Sequence, residues 1–252
     1  MSKRNGEGWY PIPVGIGEPI MYPSVTKVCQ VLAKPYIVDW AAGQDVNWFR
    51  ERASIGFLGD GFDQQDAENH ERGLDKLAEQ AKVYHKTISQ SAMDYGSRIH
   101  NALDVYHKTG AYPVDPELRA AFEACVDEEQ ASGITTIESE FMVYNEIYRY
   151  AGTLDHHLHK GNMAEEGISD YKTYGGKKVV VYPEHLMQLA AYVYAHESMT
   201  GKILDFGDIC YLSRETGLPT RKSFSRIQLI NPFMRFVCLC QYFWLSQERK
   251  LK

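Results

Sequence analysis

Long hydrophobic runs are missing from this chain. The longest charge-free, strongly apolar stretch, Phe236 to Gln247, falls well short of the roughly 20 residues that a membrane helix needs, so no span is expected. Cysteine is scarce: Cys29, Cys125, Cys210, Cys238 and Cys240 are scattered and odd in number, which fits a reducing compartment better than a disulfide framework. Met1 to Gly8 lead into Trp9, Tyr10 and two prolines with no apolar core or small-residue cleavage site. No secretory signal is expected, and the protein reads as cytoplasmic. Positive charge is not in excess either, since 27 Lys and Arg against 33 Asp and Glu give a formal net charge of −6. That argues against a surface coated with positive charge, but leaves open a cleft where a few lysines and a metal ion outweigh the total. A Walker-type phosphate loop is also lacking, because Gly201-Lys202 has neither the upstream glycine nor the following Ser or Thr; an attached helicase motor is therefore not expected in this chain.

What is present is enough apolar material for a sizeable core: 44% hydrophobic and 12% aromatic residues over 252 positions, which rules out global disorder. Residues 1–23 are rich in Gly and Pro and read as an extended arm. Ser24 is placed to cap a helix from Val25 to about Lys34, stopped by Pro35. Asp39 is read as capping a second helix through Trp40, Val46 and Phe49. Further helices are expected at about Gly73 to Ser89, at Asp94 to Lys108 before Gly110, and from Pro116 onwards. The stretch 56–70 reads as a mobile loop, with Asp60, Asp63 and Asp66 three apart rather than at the alternate positions of a calcium loop.

After Gly133 the period changes. Ile134–Tyr144, Tyr148–His157 and Gly167–Thr173 carry β-branched and aromatic residues at near-alternate positions and read as strands. Pro183 to about Met199 returns to helical spacing, with Leu186, Leu189, Ala190, Val193 and Tyr194 as its apolar face. Strands are expected again at Phe206–Leu212 and Lys222–Leu229, and then a final helix capped by Asn231. Together these predict one α/β domain over 1–252: a mainly helical part, 1–133, and a central mixed sheet flanked by helices in 134–252.

Three groups carry chemistry: Gly152-Thr153-Leu154-Asp155, Ser169-Asp170-Tyr171-Lys172-Thr173, and Gln188-Leu189-Ala190-Ala191-Tyr192. On a strand, Asp170 and Lys172 share a face while Tyr171 points away. If the two strands pair, Asp155 sits across from Asp170 and makes a hard-oxygen site suited to Mg²⁺ or Mn²⁺, to which the Tyr171 carbonyl adds a ligand. Gln188 and Tyr192, four apart on a helix, lean over the same sheet edge. Upstream, His100, Asp104 and His107 share one helix face, and His100 is placed to complete the metal shell.

These motifs, in this order, resemble the RecB-like branch of the PD-(D/E)XK nuclease superfamily, the branch that includes phage-type exonucleases and the mitochondrial genome maintenance exonuclease. Tyr22-Pro23-Ser24-Val25-Thr26 with Trp40-Ala41-Ala42 resembles the entry helices, and Gly96 to His100 the helix that delivers the metal-binding histidine. Glu140 resembles an acidic residue of the first core strand, Asp155 the second motif, Asp170-Tyr171-Lys172 the (D/E)XK motif, and Gln188 with Tyr192 the Q-x-x-x-Y helix. The resemblance implies a restriction-endonuclease-like core and a DNA exonuclease that acts on free or single-stranded ends in replication, recombination or repair, in a bacterial or phage-infected cell. It implies that Asp155, Asp170 and His100 hold one or two divalent ions and that Lys172 orients or activates the attacking water. A structure-selective endonuclease on the same fold, or a non-catalytic DNA-binding module, are the alternatives.

Other groups read more plainly. Lys177 and Lys178, and likewise Arg98, Arg221 and Lys222, are candidates for touching DNA phosphates. The run His156-His157-Leu158-His159 suggests zinc, but no paired Cys or second His cluster follows at the spacing of structural zinc sites, and a polar strand end is the preferred reading. Cys29, Cys210, Cys238 and Cys240 match the number, not the spacing, of the iron-sulfur ligands in some RecB-like proteins, so no cluster is expected. The apolar Phe236 to Leu245 helix is either core or a surface for self-association or a replication or recombination partner.

Overall fold

The computed structural model describes residues 6–13, 17–32, 35–56, 78–161, 165–176 and 178–248. Five strands form one mixed sheet in the order β3 (Thr135–Asn145), β4 (Tyr150–Lys160), β5 (Glu165–Tyr174), β6 (Phe206–Ser213) and β7 (Pro219–Ser225). Neighbours are antiparallel except β5 and β6, which run parallel. A parallel pair needs a long crossover, and helix α5 (Pro183–Thr200) supplies it. β6 is buried at every position, as a central strand covered on both faces must be.

The helices follow local signals. Asp115 accepts from the Glu117 amide and caps α4 (Pro116–Ala131), whose first residue is the expected proline. Helix α3 (Tyr84–Thr109) ends where Gly110 takes a left-handed φ of +74° and its amide reaches the Tyr106 carbonyl. The two helices expected around 73–89 and 94–108 are, over the described residues, a helical turn at 78–81 and this one long helix. Ser24 caps α1 as expected, but α1 (Val25–Cys29) stops well before Pro35, and Pro35 opens α2 (Pro35–Gly56) in place of an Asp39 cap. The N-terminal arm is a two-stranded antiparallel sheet, β1 (Trp9–Ile12) with β2 (Ile20–Pro23).

The final helix is a clear departure. Asn231 is not its cap: α6 (Arg226–Glu248) begins six residues after Thr220 and carries Pro232 inside it. The signal is Ser225-Arg226-Ile227-Gln228, in which Gln228 Oε1 accepts from the Ser225 amide at 2.9 Å, half of a reciprocal capping box. β7 accordingly ends at Ser225, not Leu229. On α6, Phe236, Val237, Cys240 and Phe243 are buried while Met234, Tyr242 and Leu245 stay exposed. The expected loop at 56–70 lies, beyond its first residue, outside the described residues.

The chain divides into two compact units, Met1–Leu32 with Gly96–Lys252, and Ala33–Tyr95. In the smaller, Asp45 of α2 accepts from the His85 amide at 2.9 Å, and Trp48 packs its ring 5.5 Å from Tyr84. In the larger, the main core lies where α1, α5 and α6 meet the sheet, built from Val25, Leu154, Ile168, Leu189, Ile209, Phe236 and their neighbours. Tyr150 is wholly buried and donates its hydroxyl to the Ala191 carbonyl, so its polar tip has a partner there. Glu197, also buried, accepts from Nε and Nη2 of Arg226 at 2.8 Å each and from the Leu204 amide, which ties α5 to α6.

His196 of α5 sits 4.4 Å from the His157 ring and 6.2 Å from Phe141, with Nδ1 buried and unpartnered among the described residues. Burial, with the charge of His157 adding, pushes its pKa down from 6.5 to about 4. The folded protein therefore holds this ring neutral while the unfolded chain binds a proton, so its contribution is complete above pH 6.5 and is lost as pH falls towards 4. His156 is driven down by burial in the same direction. Urea midpoints across that window should show a shallower acid decline for His196→Gln than for wild type, with part of the slope remaining. An unchanged slope would exclude His196 as a contributor.

Candidate active site

The ladder between β4 and β5 stops at the pair His156–Ser169. One residue further the strands fork, and there Asp155 and Asp170 stand level with each other. Asp155 Oδ2 accepts from the Tyr171 amide at 2.8 Å, replacing the strand partner this amide has lost. Its other oxygen, Oδ1, lies 3.4 Å from His100 Nδ1 on α3. Asp170, almost wholly buried, pairs with Lys172 at 2.6 Å. The expected sharing of a face by Asp170 and Lys172 is what this contact requires.

Each group is tuned by the others. Burial alone would raise the Asp155 pKa, but His100, Lys172 and the Tyr171 amide outweigh it and hold the carboxyl below its ordinary value. For Asp170 burial wins over Lys172, and with the Asp155 charge adding, its pKa is raised. Burial works against charge on Lys172 and on His100, yet Asp170 and Asp155 more than compensate, and both are held above their ordinary values. Two carboxyls pushed apart beside an ammonium is an arrangement typical of functional sites.

Glu140 joins from β3. It falls between the pairs Ser139–His156 and Phe141–Leu154 and has a left-handed φ of +50°, costly for a side-chain-bearing residue and frequent at functional positions. Burial first, then the charges of Asp155 and Asp104, raises its pKa. Tyr192 of α5 lies beneath; burial first, then Asp170 and Asp155, keeps its phenol protonated. Gln188 is half-buried one turn earlier.

Other expected residues are placed differently. Arg98 pairs with Asp115 and Glu117 at the start of α4 and lines a cleft of about 350 Å³ that includes none of Asp155, Asp170 or Lys172. Arg221 is not free for phosphate: its side chain is buried, forked onto Glu128 and bonded to Ser169 at 2.8 Å. Lys222 and Lys178 are exposed, and Lys177 lies outside the described residues. Tyr171 sends its hydroxyl away to Glu129 and His156, although its amide belongs to the fork. Among the cysteines, Cys210 neighbours Cys125, Cys29 influences Cys240, and Cys238 is exposed.

The histidine run splits. His157 bonds Glu166 at 2.9 Å, whereas His156 belongs to a separate group with His107 and Glu129, whose potential ligand atoms lie within 4.8 Å of one another. Among the described residues no other trio converges as tightly; in the fork His100 and Asp155 face each other while Asp170 faces Lys172. Glu129 carried no sequence signal beyond its place on the helix opened by Pro116.

Gly152 is required by Tyr192. A Cβ at 152 would stand 2.5 Å from Tyr192 Cε1 and 3.3 Å from Val25 Cγ2. Gly152→Ala should cost about 1–3 kcal/mol, the usual range for overpacking a core, read as a lower urea midpoint at unchanged m-value. A neutral effect would mean that Tyr192 moves aside freely.

No protein-family model matches the chain, and no curated protein does. Among solved structures it is similar to one described as "Crystal structure of SSO0001", with 13% sequence identity, a TM-score of 0.39, and coverage of 79% of this chain and 84% of that one.

Proposed function

We propose that this chain is a divalent-metal-dependent nuclease that hydrolyses phosphodiester bonds in DNA. The observation that supports it is the convergence of Asp155, Asp170, Lys172 and His100 at one strand fork, with Glu140 beside Asp155. The donor set fits a hard cation: two largely buried carboxylates supply oxygens and one imidazole a nitrogen, and Asp155 and Asp170 would hold Mg²⁺ or Mn²⁺ with His100. Such an ion, when bound, lowers the pKa of a coordinated water and polarises the phosphate.

The remaining work belongs to the side chains. Lys172 stays an ammonium under the influence of Asp170 and Asp155, so it arrives charged at the place where negative charge grows on the phosphorus oxygens, and donates to them. The Tyr171 amide fixes the Asp155 carboxylate in one orientation, which spares the cost of ordering it during reaction. Tyr192 closes the floor of the site and keeps water from beneath it. Three carboxyl groups, counting Glu140 beside Asp155, against one ammonium and a histidine inclined to protonation leave the site with no excess of positive charge. Phosphate therefore gains little attraction there until a cation is added, which is how a chain of net charge −6 takes a polyanionic substrate. The preference for free DNA ends, and the restriction-endonuclease-like reading of the sheet, rest on the motif resemblance.

End-labelled linear DNA and closed circular DNA, each incubated with Mg²⁺ or Mn²⁺, test this. Linear DNA should be degraded, circular DNA left intact, and chelation should stop the reaction. Nicking of the circle would make the enzyme an endonuclease. Lys172→Gln, which retains a donor towards Asp170, should reduce the rate about 100- to 1,000-fold while preserving metal binding by calorimetry; Asp170→Asn should lose both. Equal rates for wild type and Lys172→Gln would exclude the mechanism.

A further inference from the structure

We propose that His107, Glu129 and His156, with the Tyr171 hydroxyl, form a buried zinc site on the far side of the Asp170-Tyr171-Lys172 strand. The residues come from three elements: His107 from α3, Glu129 from α4 and His156 from β4. His107 Nε2 lies 3.0 Å from Glu129 Oε2, His156 Nδ1 lies 3.8 Å from Glu129 Oε1, and Tyr171 Oη lies 2.8 Å from His156 Nδ1 and donates to Glu129 Oε1. Tetrahedral zinc, with bonds of about 2.0–2.1 Å, sets its donors roughly 3.3–3.4 Å apart. These contacts bracket that value, and the potential ligand atoms of the three residues all lie within 4.8 Å of one another, so side-chain movement must draw them in around the ion.

The chemistry favours zinc over the hard cations. Two imidazole nitrogens with one carboxylate is a donor set for zinc, whereas Mg²⁺ and Ca²⁺ prefer oxygen and retain water. Here there is little room for water, since the side chains of His107, Glu129 and His156 are 3%, 6% and 0% exposed. The two imidazole rings stack at 4.0 Å with 21° between their planes, so the rings are adjacent and one must rotate for both nitrogens to face a common ion. Of the two His107 nitrogens, Nε2 faces Glu129 and is the ligand atom, while Nδ1 is buried with no partner among the described residues and lies outside the donor set.

Charge favours a cation as well. Glu128, Glu129 and Asp208 face Arg221 and Lys160, so three carboxylates meet two permanent cations. A closed, dry site of this kind is structural: zinc would pin both helices onto β4 beside Asp155. This inference does not rest on the nuclease reading, since it shares no ligand residue side chain with that site.

Protein purified after growth with zinc should contain one tightly held zinc per chain by elemental analysis. Asp155→Asn/Asp170→Asn, which removes the other site, should keep it, while His107→Gln and His156→Gln should each lose it. Zinc K-edge absorption on wild type needs no variant and should show two imidazole ligands. A metal-free wild type, fewer than two imidazoles, or loss of zinc in the Asp155→Asn/Asp170→Asn variant alone would overturn the proposal.

Discussion

The hydrogen bond from the Tyr171 amide to Asp155 is the constraint on which the larger unit turns. Two antiparallel strands that part must leave backbone donors without partners, and a buried amide without one costs on the order of 1–3 kcal/mol. Asp155 resolves this with a charged acceptor, the strongest kind for an N–H group. Doing so places a carboxylate at the mouth of the fork, level with Asp170. The structural requirement and the chemical arrangement are met by one side chain.

The groups gathered on the two sides of β5 obey a common rule. A buried charge is tolerable only when its partners are present, and removing one partner is far costlier than replacing both with apolar groups. Helix α3 supplies partners to each from a single face: His100 to Asp155, Asp104 to the Ser139 hydroxyl at 2.6 Å, and His107 to Glu129. β5 does the same through alternation, giving Asp170 and Lys172 to one group and the Tyr171 hydroxyl to the other. Helix and strand periods together therefore decide which charges meet.

Much of this was legible in the residues. The strand positions of Asp155, Asp170 and Lys172, the row His100, Asp104 and His107, and the helix bearing Tyr192 follow from periods of two and 3.6. What periodicity cannot give is pairing across elements distant in sequence. Nothing local distinguishes Arg221, buried against Glu128, from Lys222, exposed beside it. Glu129 meets His156 only because α4, packed against β6 and β7, extends this side chain to Tyr171 and His156, and the histidine run gave no sign that His156 would leave its neighbours. The start of α6 was missed for a different reason: Asn231-Pro232 is a strong local start signal, yet Ser225 and Gln228 had already begun the helix, and its packing outweighs the hydrogen bond that Pro232 forfeits.

The absence of a side chain at Gly152 has a consequence beyond its own packing. Because Tyr192 occupies the volume a Cβ would need, position 152 and the Gln188–Tyr192 helix cannot vary independently. A larger residue at 152 becomes acceptable only alongside a smaller one at 192, and that change would open the floor beneath Asp155 and Asp170. Across natural variants of this chain the two positions should therefore behave as a single unit of inheritance, although 40 residues and a whole strand separate them in sequence.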